Sequence, residues 1–236
     1  ALFFIRFFDN HGLLQINNRP NWWVIKGGSK EYVKKLVSSF KENIRLSSPV
    51  YSINRTDEKI EIKLSSDNAQ IETFDAVVIA THSDQALKLL SDKTSLEVEI
   101  LSALPYQRNE ALLHTDDTVL PKSKIAWASW NYNLDQESDE PVALTYNMNI
   151  LQSLNPLDTF CVTLNSNGLV NSTKVIKKLK YDHPLFTVEG IAAQKRKNEI
   201  NGVNNTYFCG AYWRNGFHED GVVSALDVAK KFGLSL

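Results

Sequence analysis

Several features are scarce in this chain, and each scarcity excludes something. Only two cysteines, Cys161 and Cys209, occur in 236 residues. They stand far apart with no paired spacing, so neither a structural zinc site nor a disulfide framework can be read from them. A reducing, cytoplasmic setting is therefore expected. No stretch approaches the ~20 apolar residues that span a bilayer. The aromatic run Phe3–Phe8 is short, is broken by Arg6, and lacks the basic start and cleavage site of a secretory signal. No transmembrane segment is expected. Excess positive charge is missing too: 26 Lys and Arg against 27 Asp and Glu give a net charge of −1. That balance argues against nucleic-acid partners and against electrostatic capture by lipid.

What is present is enough for a core, with 43% hydrophobic residues. A first unit from Trp22 to about Leu90 reads as alternating strand and helix. Trp23, Val24 and Ile25 form a short β-prone run, Gly27 and Gly28 a turn, and Ser29 a cap. Val33, Leu36, Val37 and Phe40 then recur at helical spacing, which predicts a helix with one packed apolar face. Val50 to Ile53 and Lys59 to Leu64 read as a hairpin, the second arm alternating apolar and charged residues. Ala76 to Ala80 is continuously apolar, as suits a parallel strand covered on both faces. A helix carrying Ala86, Leu87, Leu89 and Leu90 should follow it.

From Ser91 to Asn205 the pattern changes. Strands are expected over Asn109–Thr115, Lys124–Asn131, Val142–Asn147 and Phe160–Leu164, with polar turns such as residues 135–140 between them. Such spacing predicts an antiparallel sheet. The α/β style then returns: Thr206 to Cys209 is a strand broken by Gly210. Glu219 to Phe232 is a helix with Val222, Leu226, Ala229 and Phe232 on its apolar side and Gly233 as its C-terminal cap. Overall this is an α/β unit split around a β-rich insert, α+β in sum.

Chemistry is most legible in the stretch Tyr207 to Val222. A strand ends at Gly210, an aromatic turn follows, and a helix begins near Glu219 with Gly221 in its first turn. Free N–H groups there favour a negative or polar ligand oxygen, and Gly221 lets it come close. Glu219 and Asp220 also simply complement the helix dipole. His114 beside Asp116 and Asp117 reads as a strand end entering a solvated loop rather than a metal corner. His183 before Pro184 reads as an extended loop residue. No metal site is expected.

This motif, together with Phe74–Ser83 and the Trp22–Tyr32 stretch containing Gly27-Gly28-Ser29, resembles the flavin-containing amine oxidoreductase superfamily. Asn109–Asp116, Trp127–Tyr132 and Gly216–Gly221 are similar to its bacterial branch of predicted NAD/FAD-binding proteins. The resemblance implies FAD as cofactor and a discontinuous FAD-binding domain, here residues 22–90 and 206–236, around a substrate domain at 91–205. Residues 1–21 would be a remnant of that substrate domain. It further implies Val50 near the adenine, Ala80 and Thr81 beside the dinucleotide, and Gly210, Ala211, Phe217, Glu219, Asp220, Gly221 and Val222 on the flavin side.

The superfamily's first turn, G-x-G-x-x-G, occurs nowhere in the chain, which opens at Ala1 without a methionine. The expectation is the C-terminal part of a longer protein, binding FAD weakly or not at all by itself. The strand matching the one that carries a lysine in amine-oxidising members has Asn109 instead, so no catalytic residue is assigned. The expected activity is FAD-dependent hydride abstraction from an organic, apolar small-molecule or lipid substrate, with Trp127, Trp130, Tyr132, Tyr146 and Trp213 as candidate pocket walls. Alternatives are desaturation or isomerisation of acyl or isoprenoid lipids, and a non-catalytic binding module of the same fold.

Overall fold

The computed structural model of the chain describes residues 2–18, 21, 23–64, 70–133 and 142–234. Trp22 and the expected polar turn at 135–140 lie outside the described residues. In chain order, helices α1 (Leu2–Asn10) and α2 (Lys30–Val37) come first. Strands β1 (Val50–Arg55), β2 (Ile60–Leu64), β3 (Ile71–Phe74) and β4 (Val77–Ile79) follow, then α3 (Ser83–Leu89) and α4 (Ser95–Ser102). The middle contains β5 (Tyr106–His114), β6 (Trp130–Asn133), β7 (Ala143–Asn147), α5 (Met148–Leu151), β8 (Cys161–Leu164) and β9 (Val175–Pro184). Helix α6 (Val188–Lys195), strand β10 (Thr206–Phe208) and helix α7 (His218–Lys231) close the chain.

These elements form two compact units, one of residues 1–105 with 185–236 and the other of residues 106–184. The second lies inside the stretch 91–205 read as an insert, while α4 and α6 at its margins belong to the first.

In the first unit the hairpin forms as its alternation requires: β1 and β2 pair antiparallel, Ile53 opposite Ile62 and Arg55 opposite Ile60, with β3 added beside β2. Ile53 and Ile60 are buried. Arg55 is buried as well, because Asp92 and Glu97 meet its guanidinium: Nε donates to Asp92 at 2.9 Å, and Nη2 donates to Glu97 at 2.8 Å while Nη1 also bonds it. Burial works against the Arg55 charge, but the bonds to Glu97 and Asp92 outweigh it and hold the pKa above its ordinary value. Glu97 is burdened by burial in the same way, and its bonds from Arg55 and Thr94 hold its pKa below the usual carboxylate range. Glu97 also accepts from Thr94 N while Thr94 Oγ1 accepts from Glu97 N, a capping box that starts α4.

A second, two-stranded sheet pairs β4 with β10 in parallel, Val77 opposite Thr206 and Ile79 opposite Phe208. The expectation of cover on both faces is corrected here: Ile79 is buried but Val78 is 46% exposed. Other expectations for this unit also need correction. Trp23, Val24 and Ile25 are irregular and exposed, since no described strand offers them a ladder. Ser29 stands at the N-cap of α2 but makes no side-chain bond, its backbone being already helical (φ −60°, ψ −23°). Val33, Leu36 and Phe40 are all exposed, so the apolar face of α2 is not packed among the described residues. On α7 the buried positions are Asp220, Ser224 and Val228, not the stripe of Val222 and Phe232, which are exposed. Polar side chains win that face because the strand tip beside it needs hydrogen-bond partners.

The second unit is a five-stranded sheet in the order β6-β7-β8-β5-β9, every pairing antiparallel. The stretch Lys124–Asn131 is not one strand. A 3₁₀ turn covers Lys124–Ala126, Trp127 Nε1 donates to Pro121 O at 2.7 Å, and the Asn131 side chain bonds both Ala128 N and Ala128 O. These bonds fold the segment into a loop before β6 begins. Nor is His114 at a solvated strand end: it is fully buried. Its Nδ1 accepts from Asp116 N at 3.1 Å, so Nε2 carries the proton and donates to Thr163 Oγ1 at 2.7 Å. The Thr163 hydroxyl lies 2.8 Å from Thr145 Oγ1 and passes the chain of bonds on. With both ring nitrogens engaged, His114 has no lone pair to give a metal. His183 sits inside β9 instead of a loop, with Nδ1 2.9 Å from Asn109 Nδ2.

Candidate functional site

The parallel pairing of β4 and β10 sets their carboxyl ends side by side, and Cys209 N continues the ladder by donating to Ile79 O at 3.2 Å. In open α/β sheets this is where ligands bind, because the chains turn away and leave a crevice. Ala80 and Thr81 leave one strand tip for α3; Gly210 and Ala211 leave the other for α7.

The turn after β10 is held by bonds from several elements. Gly210 N donates to Ser224 Oγ at 2.8 Å, and that hydroxyl donates to Gly221 O at 2.9 Å, fastening α7 to the strand tip. Gly210 has room for no side chain, since a Cβ there would stand 2.4 Å from the ring of buried Tyr212. Trp213 Nε1 donates to Phe208 O at 3.1 Å. Gln194 of α6 donates to Tyr212 O at 2.8 Å and to Arg214 O at 2.7 Å. Asp220 accepts from Asn215 N at 3.2 Å and Phe217 N at 3.0 Å, so its carboxylate shapes the turn that starts α7.

Around that helix start two further segments converge. The Phe217 ring stacks on Phe7 of α1 with centroids 5.6 Å apart and planes 9° from parallel. The Tyr32 hydroxyl on α2 lies 3.3 Å from His218 Nδ1. A Cβ added at Gly221 would meet nothing within 4 Å, so the first turn of α7 presents bare backbone to open space. Glu219, Phe217, Val222 and Ala80 are exposed around it, with Thr81, Gly210 and Ala211 half-buried.

Nine of the ten residues expected on the cofactor side thus lie on the β4 and β10 tips and the α7 start. Val50 is the exception, opening β1 on the three-stranded sheet. There it lines an apolar cleft of about 200 Å³ with Ile62, Leu64 and Phe74, edged by a bidentate Arg45–Glu72 pair at 2.6 and 2.7 Å.

Of the candidate pocket aromatics, four belong to the five-stranded sheet. Trp130 and Tyr146 are cross-strand partners packed edge to face at 6.1 Å, and Tyr132 follows on the same face, 63% exposed. Trp127 stands in the loop before them with the Lys124 ammonium 5.4 Å above its ring. Trp213 belongs to the other unit and is buried. Sequence reasoning passed over Gln194, Lys195 and Arg214, which share a cleft with Trp213. Gln194 and Lys195 end a helix with little amphipathic pattern, and nothing local marks them as neighbours of a turn about 20 residues on.

Two parallel strand ends with a helix starting beyond them, in a unit interrupted by an antiparallel insert, fit a nucleotide-binding fold, and fold alone does not fix the chemistry. The family model for flavin containing amine oxidoreductases matches residues 6–133, and the chain belongs to that family. FAD is the cofactor that membership brings. Three solved structures share the fold. The CLA-producing fatty acid isomerase from P. acnes superposes with a TM-score of 0.64 at 13% identity, covering 90% of this chain and 53% of that one. Cyclohexylamine oxidase from Brevibacterium oxydans IH-35A gives 0.54 at 12%, over 88% and 53%. A reduced UDP-galactopyranose mutase gives 0.53 at 13%, over 79% and 47%. The chain spans about half the length of these structures. No curated protein sequence matches it. Among the described residues no helix is long and apolar enough to cross a membrane, and no group of three or more His, Cys, Asp or Glu is placed to hold a metal ion.

Proposed function

We propose that this chain is part of an FAD-dependent oxidoreductase and carries the flavin-side wall of its cofactor crevice together with its substrate sheet. The observation that carries the reading is the start of α7. Its first turn, with no side chain at Gly221, follows the adjoining ends of β4 and β10. Gly221 N is spent on Phe217 O at 3.2 Å, so the amides ahead of it, which have no acceptor within the helix, are the ones that would meet a polar ligand oxygen. Gly210, Ala211, Phe217, Glu219, Gly221 and Val222 would hold the flavin side and Ala80 and Thr81 the neighbouring strand tip, with Asp220 fixing the turn and Val50 serving the adenine.

Bound FAD supplies hydride acceptance from an organic substrate, and the protein supplies orientation and polarity. The unit 106–184 would receive the substrate, its Trp130, Tyr132 and Tyr146 face favouring apolar groups. The fold shared with a fatty acid isomerase supports, as a second reading, isomerisation or desaturation of an acyl lipid.

The test is the visible absorbance of the purified protein, expressed alone and within any longer parent that contains it, and the FAD released on denaturation. Stoichiometric flavin whose affinity drops when Gly221 is replaced by Glu supports the reading. A correctly folded parent without flavin bands identifies a non-catalytic module instead. Amine and acyl substrates are then separated by which of them bleaches the flavin without oxygen.

A further inference from the structure

A cleft of about 390 Å³ opens behind the β10–α7 turn, lined by Asn10, Gln194, Lys195, Trp213, Arg214 and Asn215. Its chemistry is one-sided. Two cations line it and no carboxylate does, in a chain whose overall charge is −1. Among the described residues neither Lys195 nor Arg214 has an ion-pair partner within 4 Å; Asp227, whose charge Arg214 favours, is already bound by Lys197 at 2.7 Å. Unpaired basic side chains converging on a recess raise the local concentration of anions.

The kind of anion follows from which donors are left. Gln194 spends its amide on the carbonyls of Tyr212 and Arg214, and Asn215 N is taken by Asp220. Phosphate sites are built from convergent backbone N–H groups. Here the charged donors are two exposed side chains, a planar guanidinium fork and one ammonium, which match the two oxygens of a carboxylate and would also accept a phosphate; the engaged backbone amides are what favour the carboxylate. A protonated amine would be repelled by the same pair.

We propose that this cleft receives the carboxylate of an organic-acid substrate or product, so that the protein acts on an acid rather than on an amine. The proposal rests on the flavin reading above and narrows its substrate. The cleft's wall, Trp213–Asn215, is the same loop that joins Ala211 to Phe217, which puts acid recognition one turn from the residues assigned to the flavin.

The test is calorimetric titration of the FAD-loaded protein with octanoate, octylamine and inorganic phosphate, comparing the wild type with Lys195→Gln/Arg214→Gln. Octanoate should bind, weaken with added salt, and lose about tenfold or more in affinity in the double variant, the flavin spectrum staying the same. Arg214→Lys should retain part of the binding. Equal octanoate affinity in wild type and double variant overturns the proposal, as does octylamine binding as well as octanoate, or binding of phosphate alone. If the double variant does not fold, Lys195→Gln, at the exposed end of α6, gives the same comparison. A protein that takes up no FAD sinks the flavin reading, while octanoate titration of the flavin-free chain still decides the cleft.

Discussion

Both units bury neutral and charged polar groups, Asp116 being the buried carboxylate of residues 106–184, but their main buried polar clusters differ in kind. In residues 106–184 the inward row of the sheet runs Asn131, Thr145, Thr163 and Leu112 across four strands, with His114 beside it, and its polar members are neutral and bonded to one another. In the other unit, beside neutral buried groups such as Ser83, Thr206 and Ser224, the main buried cluster is charged: Arg55 between Asp92 and Glu97. A neutral row loses a bond or two when one member is replaced, whereas a buried ion loses its only compensation. The same unit also leaves apolar side chains uncovered, Val33, Leu36, Phe40 and Val78 among them. Strength is thus concentrated at one point of the first unit and spread along a row in the second.

The contrast is broken most sharply at Arg55. Replacement by Met leaves Glu97 buried without its cation and should cost about 3–5 kcal/mol in urea unfolding. Arg55→Met with Glu97→Leu should recover much of that loss. Equal costs for the single and the double variant would show that the ion triad is not what holds β1 to α4.

The second unit should answer to acid instead. Burial holds the His114 pKa below its ordinary value, with Asp116 partly opposing, so the folded state resists the proton that the unfolded state accepts. Its contribution is complete above the unfolded pKa of about 6.5 and falls as pH drops through that value. Asp116 works at lower pH. Burial opposes its charge, but bonds from Asn171 N, Thr118 and Lys174 bring its pKa from 3.8 down to about 2. That stabilises by about 2 kcal/mol above the unfolded value, lost as pH falls towards the folded one. Melting followed by the tryptophans of this sheet should therefore weaken in two acid steps, and Asp116→Asn should remove the lower one.

Gly210 tests the turn that links fold to site. Gly210→Ala drives a methyl group into the Tyr212 ring and should cost about 1–3 kcal/mol. Flavin affinity should fall further than stability does, because the displaced turn carries Ala211 and Phe217. Tyr212→Leu in the same chain should relieve the clash.

Much of this fold was legible because its signals are local. The hairpin of β1 and β2 follows from Ile60, Ile62 and Leu64 alternating with Glu61 and Lys63, and α7 is closed by Gly233 at φ +73° as its position implies. Strand β9 escaped because Lys177, Lys178 and Lys180 interrupt any apolar alternation. It is an edge strand, and edge strands carry lysine where core strands cannot. The site was half legible. Helix periodicity located α7 but gave the wrong buried face, since Asp220 and Ser224 turn inward to serve loop amides that no periodicity describes. Lys195 and Arg214 meet only through tertiary packing.

The smallest effect sharpens the comparison furthest. Val33, Leu36 and Val78 are exposed in a sequence pattern that specifies burial, and a solvent-facing apolar side chain adds little to stability. Val33→Ser with Leu36→Ser should shift the unfolding free energy of this chain by no more than about 0.5 kcal/mol each. In any longer parent that contains this chain, the same substitutions should cost several times as much if a further layer packs on α2, because each side chain then contributes about 1.5–3 kcal/mol of burial. A large cost in the isolated chain would mean that α2 is covered from within it. Equal small costs in both would mean that the open face is open in the parent too, and would require another reason for an apolar stripe at strict helical spacing.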